Sequence, residues 1–381
     1  MSLQLSSHVL DWIIKQSKPD GKNQDVLELL DSWAENQRQP TFSQIENASN
    51  KLRIPFGYFF LDTPPIEDIP LLEYRTVDSI ELEHPSRELI DTIHDMEYIQ
   101  EWMKEELLLE ESNRLNFVGQ LRSSQDLFQS AKKTRTILGI STDWFKEMRS
   151  ASDSFNLLRN KMSDLGVIVM INGIVQNNTS RPLAVDEFRA FTIVDEIAPL
   201  IFINNRDSQN GKVFSLLHEF IHILLGENSL YNQPLSKHSS PNPNEFFCNG
   251  VTAELLVPSS MFSGKWLETN MSEKDKIKNL SSFFHCSEVV IARRALDNDL
   301  ISQHLYDEIS ENASYAFKNT KGKKGGNYYR TALKRFDRRF LNQVFLSLQA
   351  GRTTYTEAFR LTNTNRKTFD GLIEKAKDGL F

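Results

Sequence analysis

Over the first 64 residues apolar side chains recur every three or four positions, most clearly in "DVLELLDSWA" and "FSQIENASNKL", and that spacing predicts helices. Thr41 stands where the second of these needs an N-cap. The connector "LDTPPIEDIPLLEYRT" carries three prolines, which argue against a helix there. Helical spacing resumes from about Ser86 to Gly139, through "ELIDTIHDMEYIQEWMKEELLLEE" and "AKKTRTIL".

Near Asp164 the pattern changes. "GVIVMINGIV" is β-branched on both sides of Asn172-Gly173, the signal of a two-residue hairpin turn. "FRAFTIV" and "APLIFIN" read as two further strands. An apolar helix then runs through "FSLLHEFIHILLG" (214–226), followed by a Pro/Asn/Ser-rich loop at 232–244. A second apolar helix, "EFFCNGVTAELLV", stops at Pro258, and "KIKNLSSFFHCSEVVIARRALDNDL" predicts two helices meeting at Cys286-Ser287. "NTKGKKGGNYY" reads as a linker to a helical tail. The expected architecture is α+β. A small sheet with an active-site helix at about 151–304 is flanked by a helical segment and linker (1–75), a helical region (76–150) and a C-terminal helical region (318–381).

Composition narrows the class. With 39% hydrophobic and 25% charged residues among 381, the chain is expected to be globular, soluble and cytoplasmic. No apolar run approaches the ~20 residues a membrane span needs, so no membrane partner is expected. Two cysteines, Cys248 and Cys286, are too few for a disulfide framework or a cysteine-built metal site. The net charge of −7 is unevenly spread: from Lys318 onward the chain carries +10, leaving −17 for the rest. A basic tail on an acidic body implies an anionic partner or a contact with the body itself.

The apolar helix poses the chemical question, because it interrupts its own hydrophobic run with His218, Glu219 and His222. Residues four apart lie within about 40° on one helix face, so both imidazoles can reach one ion. Glu219 falls beside that pair, where it serves as a base rather than a ligand. This is the H-E-x-x-H arrangement of zinc peptidases. A catalytic zinc wants three protein ligands and an open position, and Glu245, opening the next helix, can supply the third. Asp195, Glu227 and Glu254 are rivals for that place, over which spacing alone gives Glu245 a modest edge. Zinc is the expected ion, with manganese also compatible with two nitrogens and one oxygen.

These motifs resemble those of the ImmA/IrrE family of metallo-endopeptidases. The resemblance lies on Asn204, on Phe214, Ser215 and Leu216 leading to His218-Glu219 and His222, then on Glu245, Cys248 and Asn249, and on Ala253, Glu254, Leu256 and Pro258. Ser215 stands where Thr is commoner, and Phe220 and Ile221 are bulkier than usual between the histidines. The resemblance implies a zincin-like fold, a metal held by His218, His222 and Glu245, and Glu219 as general base and acid. It also implies a regulatory protein as substrate, typically a helix-turn-helix repressor of mobile-element or stress-response genes.

Further roles follow as expectations. Extended substrates add to exposed sheet edges, which nominates Ile201, Phe202, Ile203 and Asn204. Asn249, one turn beyond Glu245, is placed to orient a ligand. Tyr231 and His238 are candidates to stabilise an oxyanion. "DSWAENQRQPTFSQIENASNKLRIP" resembles the end of a repressor-type helix-turn-helix domain, yet residues 1–64 carry a net −2, the wrong sign for reading DNA. The tail segment "TYTEAFRLTNTNRKTFDGLIEKA", with Arg366 and Lys367 opening its second helix, is the better place for a DNA contact. The alternative to an enzyme is a non-proteolytic, antitoxin-like module that holds a repressor, a toxin or DNA.

Overall fold

Local sequence sets the helix boundaries in this computed structural model, which describes residues 5–17, 23–65, 69, 71, 85–231, 243–268, 270–319 and 328–377. Contacts divide the chain into two units: Met1–Pro70 with Glu81–Ile90, and Leu71–Ile80 with Asp91–Phe381.

In the first unit, α1 (Ser7–Ser17), α2 (Gln24–Ala34) and α3 (Phe42–Leu52) pool their apolar faces in one core that includes Leu10, Leu30, Trp33, Ile45 and Phe59. Thr41 is the N-cap of α3 as its position predicts. Its hydroxyl accepts from the Gln44 amide while the Gln44 side chain accepts from the Thr41 amide, a reciprocal capping box.

The second unit opens with α4 (Arg87–Leu109), whose residues from Asp91 belong to it. It continues through α5 (Leu127–Leu138), α6 (Ala151–Leu165), β1 (Ile168–Asn172), β2 (Ala190–Ile193), β3 (Leu200–Asn204), α7 (Gln209–Leu225), β4 (Ser229–Tyr231) and α8 (Pro243–Leu256). Then come α9 (Ser259–Leu267), α10 (Glu273–Phe284), α11 (Glu288–Asp297), α12 (Gln303–Asn319), α13 (Tyr328–Arg335), α14 (Arg338–Gln349), α15 (Tyr355–Leu361) and α16 (Arg366–Lys377). The α+β architecture is as expected, a small sheet amid helices. No described helix is long and apolar enough to cross a membrane.

The sheet runs in the order β1-β3-β2-β4, with β1 parallel to β3 and the other pairs antiparallel. The hairpin expected at Asn172-Gly173 is therefore not formed. Asn172 turns the chain by bonding its own loop, accepting from the Gly173 amide and donating to the Gln176 carbonyl, and β1 takes a parallel partner instead. Parallel pairing needs a long crossover rather than a tight turn.

Val169, Ile171, Ile201 and Ile203 send their side chains into the core that packs α7. Every residue of α7 from Lys212 to Leu224 is buried, so this helix lies wholly inside the unit, against the sheet, α6 and α8. Ser208 caps its N-terminus, and Gly226 ends it at φ +76, a left-handed C-cap that suits glycine.

The basic tail answers to the acidic body. Arg335 donates to Asn177, Arg338 pairs with Asp164, and Arg339 donates to the Ser163 carbonyl (3.4 Å). Arg352 holds Glu106 through two nitrogens (3.0 and 2.8 Å), and Arg360 lies 4.1 Å over the Tyr98 ring. The tail also reaches one border of the sheet. Asp337 Oδ2 accepts from the Val169 amide (3.3 Å), and Arg159 donates to the carbonyls of Val169 (2.9 Å) and Phe336 (2.6 Å). The outward N–H and C=O of Val169 on β1 are thus taken by side chains, which satisfies two backbone groups of that edge. Arg366 and Lys367 stay exposed at the start of α16. Of the anticipated features, the connector at 66–84 (apart from Ile69 and Leu71), the loop at 232–242 with His238, and the linker at 320–327 lie outside the described residues.

Candidate metal centre

His218 and His222 face the same way from α7 because they are four residues apart on an unbroken helix. α8 packs against α7 and brings Glu245, in its first turn, to the same point. The two helices approach closely enough for Glu245 Oε2 to lie 3.3 Å from His218 Nε2, and Oε1 3.2 Å from His222 Nε2. The two Nε2 atoms are 3.1 Å apart. All three side chains are buried, and one ligand atom from each falls within 4.8 Å of the others.

This geometry can be tested against an ion. Metal–ligand bonds of about 2.0–2.1 Å in a tetrahedron separate the ligand atoms by about 3.3 Å. The two Nε2 atoms, 3.1 Å apart, and the Glu245 oxygen nearest each, at 3.3 and 3.2 Å, come close to that spacing, with a different carboxylate oxygen facing each histidine. Two imidazole nitrogens and a carboxylate, dry and converging, are a donor set suited to zinc. The residues present fit a divalent cation.

Electrostatics point the same way. Burial by itself would raise the Glu245 carboxyl, but the facing His218 and His222 overcome it and hold it well below the usual carboxylate range. Burial would likewise lower His222, yet its neighbours Cys248 and Glu245 raise it well above its ordinary value.

Glu219 occupies the expected flank. It is fully buried, burial raises its pKa, and the two histidines and Thr192 moderate the rise. Thr192 Oγ1 donates to Glu219 Oε2 at 2.6 Å, while Oε1 has no hydrogen-bond partner among the described residues. Thr192 carries no signal in the sequence beyond being a polar residue in an apolar strand, and it was not anticipated.

The rivals for the third ligand are engaged elsewhere. Asp195 pairs with Lys104 (2.8 Å), Glu227 accepts from Asn244 (2.5 Å), and Glu254 accepts from Ser259 and Arg294. Asn249 lies one turn beyond Glu245, and its Oδ1 is buried without a hydrogen-bond partner among the described residues. Tyr231 is not on a surface loop. It ends β4, buried, with its ring centroid 4.1 Å from that of His218.

Ile201, Phe202, Ile203 and Asn204 need correction as a substrate edge. They form β3, an interior strand paired on both sides and buried throughout. Asn204 spends its side chain on the Phe188 carbonyl (3.1 Å) and the Arg206 amide (3.1 Å). With both ladders occupied, β3 has no backbone groups left for a peptide. The border strand near the histidines is β4.

Residues 162–296 match the peptidase family model described as the IrrE N-terminal-like domain, which spans α7 and α8 with all of His218, Glu219, His222 and Glu245. Residues 336–375 match a domain of unknown function (DUF8813), which covers α14 and α15 and most of α16. No curated protein and no solved structure matches the chain. The first match supports the ImmA/IrrE resemblance and a metallopeptidase-type function that depends on a metal ion.

Proposed function

We propose that this chain is a zinc-dependent endopeptidase that cuts a peptide bond in a regulatory protein, with a helix-turn-helix repressor as the substrate class. The observation that carries the reading is the convergence of His218, His222 and Glu245 on one point with Glu219 beside it.

His218 Nε2, His222 Nε2 and one Glu245 oxygen would hold the ion, which when bound supplies Lewis-acid polarisation of water and of the scissile carbonyl. Glu219 does the proton work. Its free Oε1 takes a proton from the attacking water and delivers it to the departing amine nitrogen, acting first as base and then as acid. Burial raises the Glu219 pKa, which makes the carboxylate a better acceptor for that step.

The test is a proteome-derived peptide library incubated with wild type and with Glu219→Gln, both zinc-loaded, and read by mass spectrometry for new termini. Cleavage at a narrow set of sites by wild type, reduced at least about a hundredfold in the variant, is the expected result. Equal cleavage by both proteins would remove Glu219 from the chemistry and overturn the proposal.

A further inference from the structure

We infer that Thr192 is a positioning residue for Glu219, holding one carboxylate oxygen so that the other faces the reaction. The inference rests on the proposed peptidase reading and assigns a role that the H-E-x-x-H motif does not contain.

A glutamate on a helix has three side-chain torsions, each with alternative settings. Reactive groups must be held within about half an ångström of their productive place. Its own helix does not hold Glu219 there. Of the described contacts, its carboxylate receives one hydrogen bond, from β2: Thr192 Oγ1 to Oε2 at 2.6 Å. Both side chains are fully buried, so bulk water does not compete for the Thr192–Oε2 bond. A hydroxyl donating to a carboxylate at this length is in the charge-assisted range, roughly twice the strength of a neutral bond. The same hydroxyl lies 3.3 Å from the Glu219 backbone carbonyl, which ties the contact to the helix itself.

Sheet register explains why Thr192 can do this. Thr192 pairs with Ser229 of β4, and Ala190, two residues before it, pairs with Tyr231. Alternate residues of a strand share a face, and Ala190 and Tyr231 lie in the core that packs α7. Thr192 and Ser229 therefore face α7. Ser229 Oγ, like that of Ser215 one turn before Glu219, is buried without a partner among the described residues. The consequence is asymmetric: Oε2 is satisfied by a fixed donor, and Oε1 is left without one. Oε1 is then the oxygen that exchanges protons.

The experiment uses full-length protein loaded with Co(II), whose visible spectrum reports acetohydroxamate binding. The hydroxamate presents a proton for Glu219 to accept. Thr192→Val keeps the strand-forming shape and removes the donor, while Thr192→Ser keeps the donor. The valine variant is expected to bind Co(II) like wild type and acetohydroxamate about 10- to 100-fold more weakly, and the serine variant to recover to within about threefold. If the valine variant does not fold, Thr192→Ala beside Thr192→Ser decides on the same terms. Wild-type hydroxamate affinity in the variant lacking the hydroxyl would overturn the inference alone. So would equal weakening in the serine variant, which would place the effect in the lost methyl. No Co(II) uptake by wild type would overturn the peptidase reading and this inference with it.

Discussion

Glu245 and Glu254 are both buried on α8, about two and a half turns apart, and they have opposite fates. Glu254 is saturated by groups that cannot leave. It accepts from the Ser259 amide (3.2 Å), the Ser259 hydroxyl (2.7 Å) and Arg294 (3.0 Å). Its backbone carbonyl takes Arg135 (2.5 Å), and Arg294 also reaches the Val257 carbonyl (2.9 Å). That network locks the end of α8 to α5, α9 and α11. Glu245 faces two imidazoles, partners that can exchange a shared proton for a cation. A buried carboxylate answered by fixed donors is scaffolding, and one answered by exchangeable ligands is a site.

The largest effect expected from this contrast is on stability. Glu254→Gln leaves the half-buried Arg294 without its ion-pair partner, and the loss is expected at about 3 kcal/mol, the lower end for such pairs. Urea unfolding should show that loss for Glu254→Gln and a smaller one for metal-free Glu245→Gln. The reverse ranking would break the comparison.

A second buried acid extends it to the tail. Burial would raise Glu106, but Arg352, Ser347 and Gln343 overcome this and lower it. A lowered folded-state pKa contributes stability that is present above the ordinary value of 4.5 and lost as pH falls through the folded value. Arg352→Ala is expected to lower Tm by about 2–4 °C at pH 7.5, with the gap to wild type closing below pH 4.5. A gap independent of pH would show that Arg352 acts through packing rather than through Glu106.

Asp95 lies between the two cases, with one donor, Gln176 (3.0 Å), in a small cavity shared with Asn172, Asn177 and Arg335. Burial pushes it up to about 6 despite that bond. A raised folded-state pKa means that its contribution is intact below the ordinary 3.8 and lost as pH climbs through about 6. Asp95→Asn should therefore raise Tm slightly at pH 7.5, by about 2 °C, and change it less at pH 4.5. Destabilisation at pH 7.5 would mean that the charge is answered by a partner other than Gln176.

The sequence carried the helix of the candidate metal site openly, because two histidines four residues apart on an apolar run have few other meanings. It barely separated Glu245 from Glu254, since both are acids on one apolar helix. Spacing favoured Glu245 only modestly and the resemblance did the rest, and the fold shows what each touches. β3 was misplaced at an edge although "LIFI" has no polar face, the mark of a strand covered on both sides. The Asn172-Gly173 turn signal yielded to parallel pairing, which no local pattern announces. Thr192 was illegible because its role depends on a strand register that brings it under Glu219. The charge imbalance of the tail was plain in the sequence, and the fold resolves much of it as contacts with the body.

The most direct test is elemental analysis of metal in purified wild type, Glu245→Gln and Glu219→Gln. About one zinc per chain in wild type and Glu219→Gln, with affinity reduced roughly a hundredfold or more in Glu245→Gln, is the predicted result. Zinc retained equally in Glu245→Gln, or absent from wild type after zinc addition, would contradict the centre built from His218, His222 and Glu245.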